Sequence, residues 1–207
     1  MSKKPNRIDK SAYDEELGPS GKIRVINRVS YLRDGEARIL FDLYSRYPGV
    51  CVEIGARWGC STMALALAIE IHGGSPLISI DPHGYQDVPG GGKTLDGMMS
   101  NLDDIGLLHN VIPTVCKSSD FGRLLKLSGV DPFITMLWID GDHSERGVAE
   151  DLMSLHPFVV CGGVVCGHDY MEQPRGPATV KSAVDGYAAR NGYKVHVDDT
   201  MWCWEKN

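Results

Sequence analysis

The feature that most constrains the fold is a regular alternation of short apolar runs with amphipathic segments from about residue 34 onward. The pattern predicts strands at 50–54, 77–81, 111–116, 134–139 and 163–167, separated by helices at 60–72, 95–107, 120–128 and 145–156. The apolar runs are almost unbroken, as is typical of parallel strands that are covered on both faces. The sequence therefore predicts an α/β fold with a doubly wound, mostly parallel sheet.

The carboxyl-terminal part has a different pattern. A helix is predicted at 178–190 and ends at Gly192, a residue type that favours helix termination. Two alternating segments follow at 193–197 and 201–204, and the short polar turn between them predicts an antiparallel hairpin. These two strands bring the predicted sheet to seven. Pro113 cannot donate to a strand ladder, so the third strand is expected at an edge of the sheet.

Length and composition favour one domain. The chain has 207 residues, of which 43% are hydrophobic, and we assign residues 31–207 to a single globular domain. Residues 1–30 are polar and are interrupted by prolines and glycines, which predicts a flexible arm. The six cysteines form no C-x-x-C pair and lie mostly in apolar segments, so reduced, buried thiols are expected.

Charge and hydropathy exclude several classes of partner. The net charge of −6 argues against non-specific binding to nucleic acid, which depends on many Lys or Arg contacts to phosphate. No apolar run approaches the roughly 20 residues that cross a bilayer, and the amino terminus lacks the apolar core of a signal peptide. The expectation is a cytoplasmic protein that does not bind membranes.

The turn after the first strand predicts a ligand site. Glu53 ends an apolar run, and Gly55 and Gly59 follow before the next helix begins. Glycines at such a turn allow close approach of the backbone to a ligand, and the helix amino terminus presents free N–H groups. Because Gly55 is followed by Ala56, Arg57 and Trp58, the dinucleotide fingerprint G-x-G-x-x-G is absent. A different nucleotide-like ligand is indicated.

Polar residues follow every predicted parallel strand, where ligands bind in open α/β sheets. Asp81 follows the second strand and is suited to accept hydrogen bonds from ribose hydroxyls, with a helix or turn cap as the alternative. Ser118, Ser119 and Asp120 follow the third strand, and Ser119 and Asp120 could line an adenine pocket or simply begin a helix.

The fourth and fifth strands are followed by the richest polar cluster. Asp140, Asp142 and His143 follow the fourth strand, and His168 and Asp169 follow the fifth. Three carboxylates and two imidazoles at adjacent strand ends are costly unless a cation neutralises them. Magnesium or manganese suits such ligands, and an imidazole favours manganese slightly. The alternative is a structural network in which Asp142 and Ser144 cap the next helix.

Four segments together resemble the small class I S-adenosylmethionine-dependent methyltransferases related to macrocin O-methyltransferase and cephalosporin hydroxylase-type proteins. They are Val52 to Ser61, Ile80 to Pro82, Trp138 to His143, and Gly162 to Tyr170. The resemblance implies a Rossmann-like methyltransferase domain. It also implies cofactor contacts from the first turn and from the ribose-binding position, and we add the adenine pocket and the end of the fourth strand as predicted cofactor contacts. These positions are Glu53, Gly55, Ala56, Gly59, Ser61, Asp81, Ser118, Ser119 and Asp140.

The same resemblance implies the chemistry. Asp140 and Asp169 would ligate a divalent cation, and His143 occupies the position of the general base in sugar-modifying relatives. Those relatives usually carry an acidic residue before the second metal-binding aspartate, where this chain has His168. We therefore predict Asp140, His168 and Asp169 as ligands of Mg²⁺ or Mn²⁺, with Asp140 and His143 catalytic.

The resulting expectation is an S-adenosylmethionine-dependent O-methyltransferase acting on a small-molecule hydroxyl, with a sugar or glycoside favoured. The loop at 84–97 is predicted to be a lid over this acceptor, and a homo-oligomer is allowed. Two alternatives remain: a non-catalytic protein that binds the cofactor or a metal, and an NAD-dependent oxidoreductase of similar fold. A nucleoside triphosphatase is excluded because Asp87 stands where the phosphate-binding loop needs glycine.

Overall fold

The computed structural model of this protein describes residues 35–84, 93–171 and 179–207. The predicted arm at 1–30 and most of the predicted lid lie outside the described residues. The division into an arm and one domain therefore stays a prediction.

The described chain alternates helices and strands in the predicted order. The helices are α1 (Glu36–Arg46), α2 (Cys60–His72), α3 (Thr94–Asp104), α4 (Ser118–Ser128), α5 (Glu145–Leu155) and α6 (Val180–Asn191). The strands are β1 (Cys51–Ile54), β2 (Leu77–Ile80), β3 (Val111–Thr114), β4 (Ile134–Ile139), β5 (Val159–Gly167), β6 (His196–Asp198) and β7 (Met201–Glu205). Short 3-10 helices at Leu108–Asn110 and His156–Phe158 lead into β3 and β5.

The seven strands form one sheet in the order β3-β2-β1-β4-β5-β7-β6. The first five strands are parallel, and β7 pairs antiparallel with both β5 and β6. This confirms the predicted doubly wound sheet with a carboxyl-terminal hairpin. Pro113 lies opposite Ser79 on β3 at one edge of the sheet, as its missing N–H required.

Several boundaries differ from the prediction. Helix α3 ends at Asp104 rather than at 107, β3 ends at Thr114 rather than at 116, and β6 begins at His196 rather than at 193. Strand β5 begins at Val159 rather than at 163, because the strand continues through Gly162 and Gly163 with a register shift against β4. These glycines interrupt the apolar run and conceal the start of the strand in the sequence. Helix α4 begins at Ser118 rather than at 120, since the serines belong to its first turn.

The sheet is covered on both faces, and alternate residues of its central strands enter opposite cores. Cys51 and Trp138 belong to the core beneath α1, α2 and α3. Their neighbours Val52 and Leu137 belong to the core beneath α5 and α6. The continuous apolar runs in the sequence are therefore explained by burial on both sides of the sheet.

All six cysteines are free, as expected. The expectation that they are buried was wrong for Cys161, which is exposed near the carboxyl end of the chain, and holds fully only for Cys51 and Cys166. Within the described ranges, no helix is both long and apolar enough to span a bilayer.

Candidate functional site

The turn between β1 and α2 has three residues with left-handed backbone angles: Gly55 (φ 93°), Arg57 (φ 48°) and Gly59 (φ 86°). A Cβ atom on Gly55 would lie 2.1 Å from the carbonyl oxygen of Asp140, and one on Gly59 would lie 2.7 Å from Cγ of Met98. Both positions require glycine because of the protein's own packing as well as backbone strain. The prediction explained these glycines by the approach of a ligand. Packing is a further reason for glycine, and the approach of a ligand stays a prediction.

Glu53 is completely buried at the end of β1. Its carboxylate accepts hydrogen bonds from Ser61, from Thr62 Oγ1 at 2.7 Å and from Ser79 Oγ at 2.7 Å. Burial raises the pKa of Glu53 to about 7, although the three hydroxyl donors lower it in part. Through these hydrogen bonds, Glu53 on β1 is linked to Ser61 on α2 and to Ser79 on β2.

Asp81 is also buried, directly after β2. Its two carboxylate oxygens accept hydrogen bonds from backbone amides, at 2.8 Å from Arg57 N and at 2.6 Å from His83 N. Asp81 therefore fixes both the glycine turn after β1 and the turn that follows β2. These bonds show the capping geometry that was the alternative to ribose binding, and the ribose contact stays a prediction.

A cavity of about 540 Å³ opens beside these turns, within the usual size range of small-molecule sites. Gly55 and Ile80 line it from the strand ends, and Ser118, Ser119 and His143 line it from the following segments. The other predicted cofactor residues are not among its described lining residues: Glu53, Ala56, Gly59, Ser61, Asp81 and Asp140.

The predicted acidic cluster is formed at the ends of β4 and β5. The register pairs Ile139 with Gly167, so the residues that follow each strand emerge side by side. His143 Nε2 lies 3.1 Å from Asp140 Oδ1, and His143 Nδ1 lies 3.1 Å from Asp169 Oδ2. One ligand atom from each of Asp140, His143 and Asp169 lies within 4.8 Å of the other two, close enough to hold a metal ion.

The charges in this cluster depend on one another. Burial raises the pKa of Asp140, and the hydrogen bond from His143 lowers it in part. That same bond raises the pKa of His143. Both ring nitrogens of His143 face carboxylates. This arrangement suits a protonated imidazolium that donates from both nitrogens, or a metal ion in the place of a proton. Asp169 has a left-handed backbone (φ 57°), which is uncommon outside glycine and is often found at functional sites.

His168 lies outside the three-residue cluster, and its role as a metal ligand stays a prediction. Its Nε2 lies 2.9 Å from Glu36 Oε1, and Thr200 Oγ1 donates to the same carboxylate at 2.8 Å. Burial alone lowers the pKa of His168, but Asp169, Glu36 and Asp140 together raise it to about 10. His168 thus lies between the carboxylates of Glu36 and Asp169, and the histidine of the three-residue cluster is His143.

Asp142 lies outside the cluster as well. It accepts a hydrogen bond from Ser144 N at 2.9 Å, and Ser144 Oγ accepts from Gly147 N at 3.0 Å at the start of α5. For Asp142 and Ser144, the alternative of helix capping is therefore the one observed.

Two buried acids near the site were missed in the sequence. Glu36 lies on α1 and pairs with His168, and Asp151 lies on α5 and accepts from Ser118 Oγ at 2.5 Å. Burial raises the pKa of Asp151 to about 7, while the bond from Ser118 lowers it in part. Each lies on the apolar face of its helix, four residues before Leu40 and Leu155 respectively. A charged residue on an apolar helix face was the available signal.

The strand order, the glycine turn and the cavity at the carboxyl ends of the strands define a methyltransferase of Rossmann-like fold. The methyltransferase domain family matches residues 52–170, and the chain belongs to that family. The matched region contains both the glycine turn and the acidic cluster. Membership supports S-adenosylmethionine as the cofactor.

Solved structures share the fold at low sequence identity. The O-methyltransferase TomG from Streptomyces achromogenes, involved in tomaymycin synthesis and solved with SAM, is 18% identical with a TM-score of 0.64, covering 96% of this chain and 94% of its own. An O-methyltransferase from Bacillus cereus in complex with SAH is 15% identical with a TM-score of 0.63, covering 96% and 97%. CalS11, a TDP-rhamnose 3'-O-methyltransferase of calicheamicin biosynthesis, is 12% identical with a TM-score of 0.64, covering 97% and 92%.

Proposed function

We propose that this methyltransferase transfers the methyl group of S-adenosylmethionine to a hydroxyl of a small molecule, with the help of a divalent cation. The observation that carries the proposal is the convergence of Asp140, His143 and Asp169 at two adjacent strand ends. A sugar or glycoside is the favoured acceptor.

The cavity fits the cofactor in size and position. Gly55 would face the cofactor from the glycine turn, and Ser118 and Ser119 would face its adenosine part. Glu53, Ser61 and Asp81 would act mainly by fixing the turn. Bound S-adenosylmethionine supplies a methyl group on a sulfonium, which is already a good leaving group, so the chain must chiefly align the acceptor and remove its proton.

The donor set fits a divalent cation. Two carboxylates and one imidazole suit Mg²⁺ or Mn²⁺, with the imidazole favouring Mn²⁺. Asp140 and Asp169 would hold the cation, whose chemical contribution is to acidify a hydroxyl near it. His168 stays behind Asp169 and orients it, since it is already paired with Glu36.

His143 is the proposed general base. Its side chain is 52% exposed, so it can reach a bound acceptor, and the contact with Asp140 fixes the orientation of its ring. The same position would also allow His143 to be a third metal ligand. These two roles predict different metal affinities when His143 is replaced.

The preference for a sugar rests on two observations. Vicinal hydroxyls can chelate one cation, and a histidine follows Asp140 by three residues, as in the sugar-modifying relatives that the sequence resembles. CalS11, which shares the fold, is a TDP-rhamnose O-methyltransferase, in line with this preference.

The first test measures transfer of labelled methyl from S-adenosylmethionine to a panel of glycosides and nucleotide sugars, with EDTA and after addition of Mg²⁺ or Mn²⁺. Turnover should be lost in EDTA and restored by the metal. In Asp169→Asn, Mn²⁺ should not restore it, and calorimetry should show Mn²⁺ binding weakened by about 100-fold or more.

Asp131→Asn is the matched control, because Asp131 is an exposed aspartate outside the site. It should behave as the wild type does. Turnover indifferent to EDTA would remove the cation from the proposal. Binding of S-adenosylhomocysteine without turnover on any hydroxyl acceptor would favour the non-catalytic alternative.

A further inference from the structure

Glu36 is a buried acid to which the proposed reaction gives no role of its own. It lies in the first turn of α1, on the same face as the buried apolar residues Ala37 and Leu40. Only 1% of the residue is exposed. A glutamate is rarely buried to this extent unless it is paired. The partners of Glu36 therefore indicate what it does in the fold.

Two side chains from distant parts of the chain meet at one oxygen of Glu36. His168 Nε2, directly after β5, lies 2.9 Å from Glu36 Oε1. Thr200 Oγ1, in the turn between β6 and β7, donates to the same oxygen at 2.8 Å. Thr200 is itself buried, and its carbonyl oxygen accepts from Tyr170 N at 2.9 Å. Glu36 thus joins α1 to the end of β5 and to the hairpin turn.

The opposite edge of the His168 ring faces the acidic cluster. His168 Nδ1 lies 3.5 Å from Asp169 Oδ1, while Asp169 Oδ2 lies 3.1 Å from His143 Nδ1. The backbone of His168 is also fixed, because its carbonyl oxygen accepts from Trp202 Nε1 at 3.2 Å. The ring is therefore held with one nitrogen at Glu36 and the other directed at Asp169.

The conformation of Asp169 requires support from its neighbours. Its backbone is left-handed (φ 57°), which costs free energy for a residue other than glycine and persists only where the surroundings fix it. A carboxylate that binds a metal ion together with Asp140 must also keep one orientation, and partners outside the ligand set commonly provide this. His168 is such a partner, and Glu36 fixes the ring of His168.

We propose that Glu36 is a positioning residue for the metal site: it fixes the ring of His168, and this ring holds the carboxylate of Asp169 in the orientation that the three-residue cluster requires. This inference rests on the proposed function, since it requires a cation at the cluster. The alternative is that Glu36 only anchors α1. An anchor affects the stability of the protein, whereas a positioning residue also affects the affinity of the folded protein for the metal.

The test measures Mn²⁺ binding by calorimetry in the wild type and in two variants at residue 36. Glu36→Leu removes the acceptor oxygen and keeps a buried side chain of similar size, so Mn²⁺ should bind about 10- to 100-fold more weakly. Glu36→Gln keeps an oxygen in the place of Oε1, so its affinity should stay within about threefold of the wild type. Binding of S-adenosylhomocysteine should be unchanged in both variants, because Glu36 is not among the described lining residues of the cavity.

Tyr44→Phe is the matched control for the anchoring of α1. Tyr44 lies on the same helix and is completely buried, and its hydroxyl donates to Gly73 O at 2.9 Å. Loss of this bond should lower the stability towards urea and leave Mn²⁺ affinity at the wild-type value. Weakened Mn²⁺ binding in Tyr44→Phe as well would assign the effect of Glu36→Leu to anchoring and overturn the inference.

Two further results would also overturn it. One is wild-type Mn²⁺ affinity in Glu36→Leu. The other is an equal loss of affinity in Glu36→Leu and Glu36→Gln, because the acceptor oxygen would then not be responsible. Absence of Mn²⁺ binding by the wild type is a different outcome: it would remove the cation from the proposed function, and the inference with it.

A second position covers the case in which Glu36→Leu does not fold. Thr200→Val removes the hydroxyl that donates to Glu36 and keeps the shape of the side chain, whereas Thr200→Ser keeps the hydroxyl. Mn²⁺ affinity should fall about 3- to 10-fold in Thr200→Val and stay near the wild-type value in Thr200→Ser. Equal affinities in these two variants would reject the inference.

Discussion

The carboxylates at the ends of β1 and β2 differ from those that follow β4 and β5 in the kind of partner they have. Glu53 and Asp81 are completely buried, and they accept hydrogen bonds from hydroxyl and backbone N–H groups. Asp140 and Asp169 are partly exposed and face the ring of His143.

The difference separates a scaffold from a site of chemistry. The donors to Glu53 and Asp81 are backbone amides and buried hydroxyls, whose positions are fixed by the fold. Glu53 and Asp81 therefore hold the glycine turn in one geometry. An exposed imidazole can gain or lose a proton, and a metal ion can replace it as the partner of a carboxylate. The charge beside Asp140 and Asp169 can therefore change during a reaction. Substitutions should therefore affect stability at the first pair and turnover at the second.

The largest effect is expected for His143→Ala. Loss of the base should lower kcat about 10²- to 10⁴-fold, while binding of S-adenosylhomocysteine stays unchanged, because the glycine turn is intact. Steady-state kinetics with the accepted glycoside, together with calorimetry, measures both quantities.

His196→Ala is the control, since His196 is an exposed histidine on the edge strand β6. Near-normal turnover of His143→Ala would remove His143 from the mechanism. A base role leaves Mn²⁺ affinity close to that of the wild type, whereas weakening of about tenfold or more would assign His143 as a metal ligand.

Much of the fold could be predicted because its signals are local. Continuous apolar runs mark β1, β2 and β4, and glycine at 192 marks the end of α6. The start of β5 could not be predicted in the same way. Its continuation through Gly162 and Gly163 depends on pairing with β4, which no local pattern records.

The candidate site was predictable where the topology alone brings residues together. Asp140, His143 and Asp169 follow adjacent parallel strands, so their proximity follows from strand order. The partner of His168 was not predictable, because Glu36 is 132 residues away in the chain. That pairing depends on the packing of α1 beside His168 and Thr200, which no local pattern in the sequence records.

A smaller effect is expected for Glu53→Gln, and it should depend on pH. The pKa of Glu53 is raised from 4.5 to about 7 in the folded protein, so its contribution to stability is complete below pH 4.5 and is lost as the pH rises through about 7. Glutamine does not titrate. The stability advantage of the wild type over Glu53→Gln should therefore shrink by about 2 to 3 kcal/mol from pH 5 to pH 8.

Urea unfolding of both proteins at the two pH values measures this change. Asp131→Asn provides the control, since Asp131 is an exposed carboxylate outside the site. Its effect on stability should be the same at both pH values. If the difference between wild type and Glu53→Gln were also constant, Glu53 would be ionised throughout, and the three hydroxyl donors would outweigh burial.

The smallest effect is expected for Asp81→Asn. This variant tests whether Asp81, like Glu53, has only a structural role. An amide keeps one acceptor oxygen for either Arg57 N or His83 N and turns its N–H₂ towards the other, so unfolding should become about 1 to 2 kcal/mol easier. If Asp81 also binds ribose, calorimetry should show S-adenosylhomocysteine affinity reduced about tenfold. Asp131→Asn should change neither quantity. Lower stability with unchanged affinity for S-adenosylhomocysteine would assign Asp81 to the turn only. Glu53 and Asp81 would then both be structural, in contrast to Asp140 and Asp169.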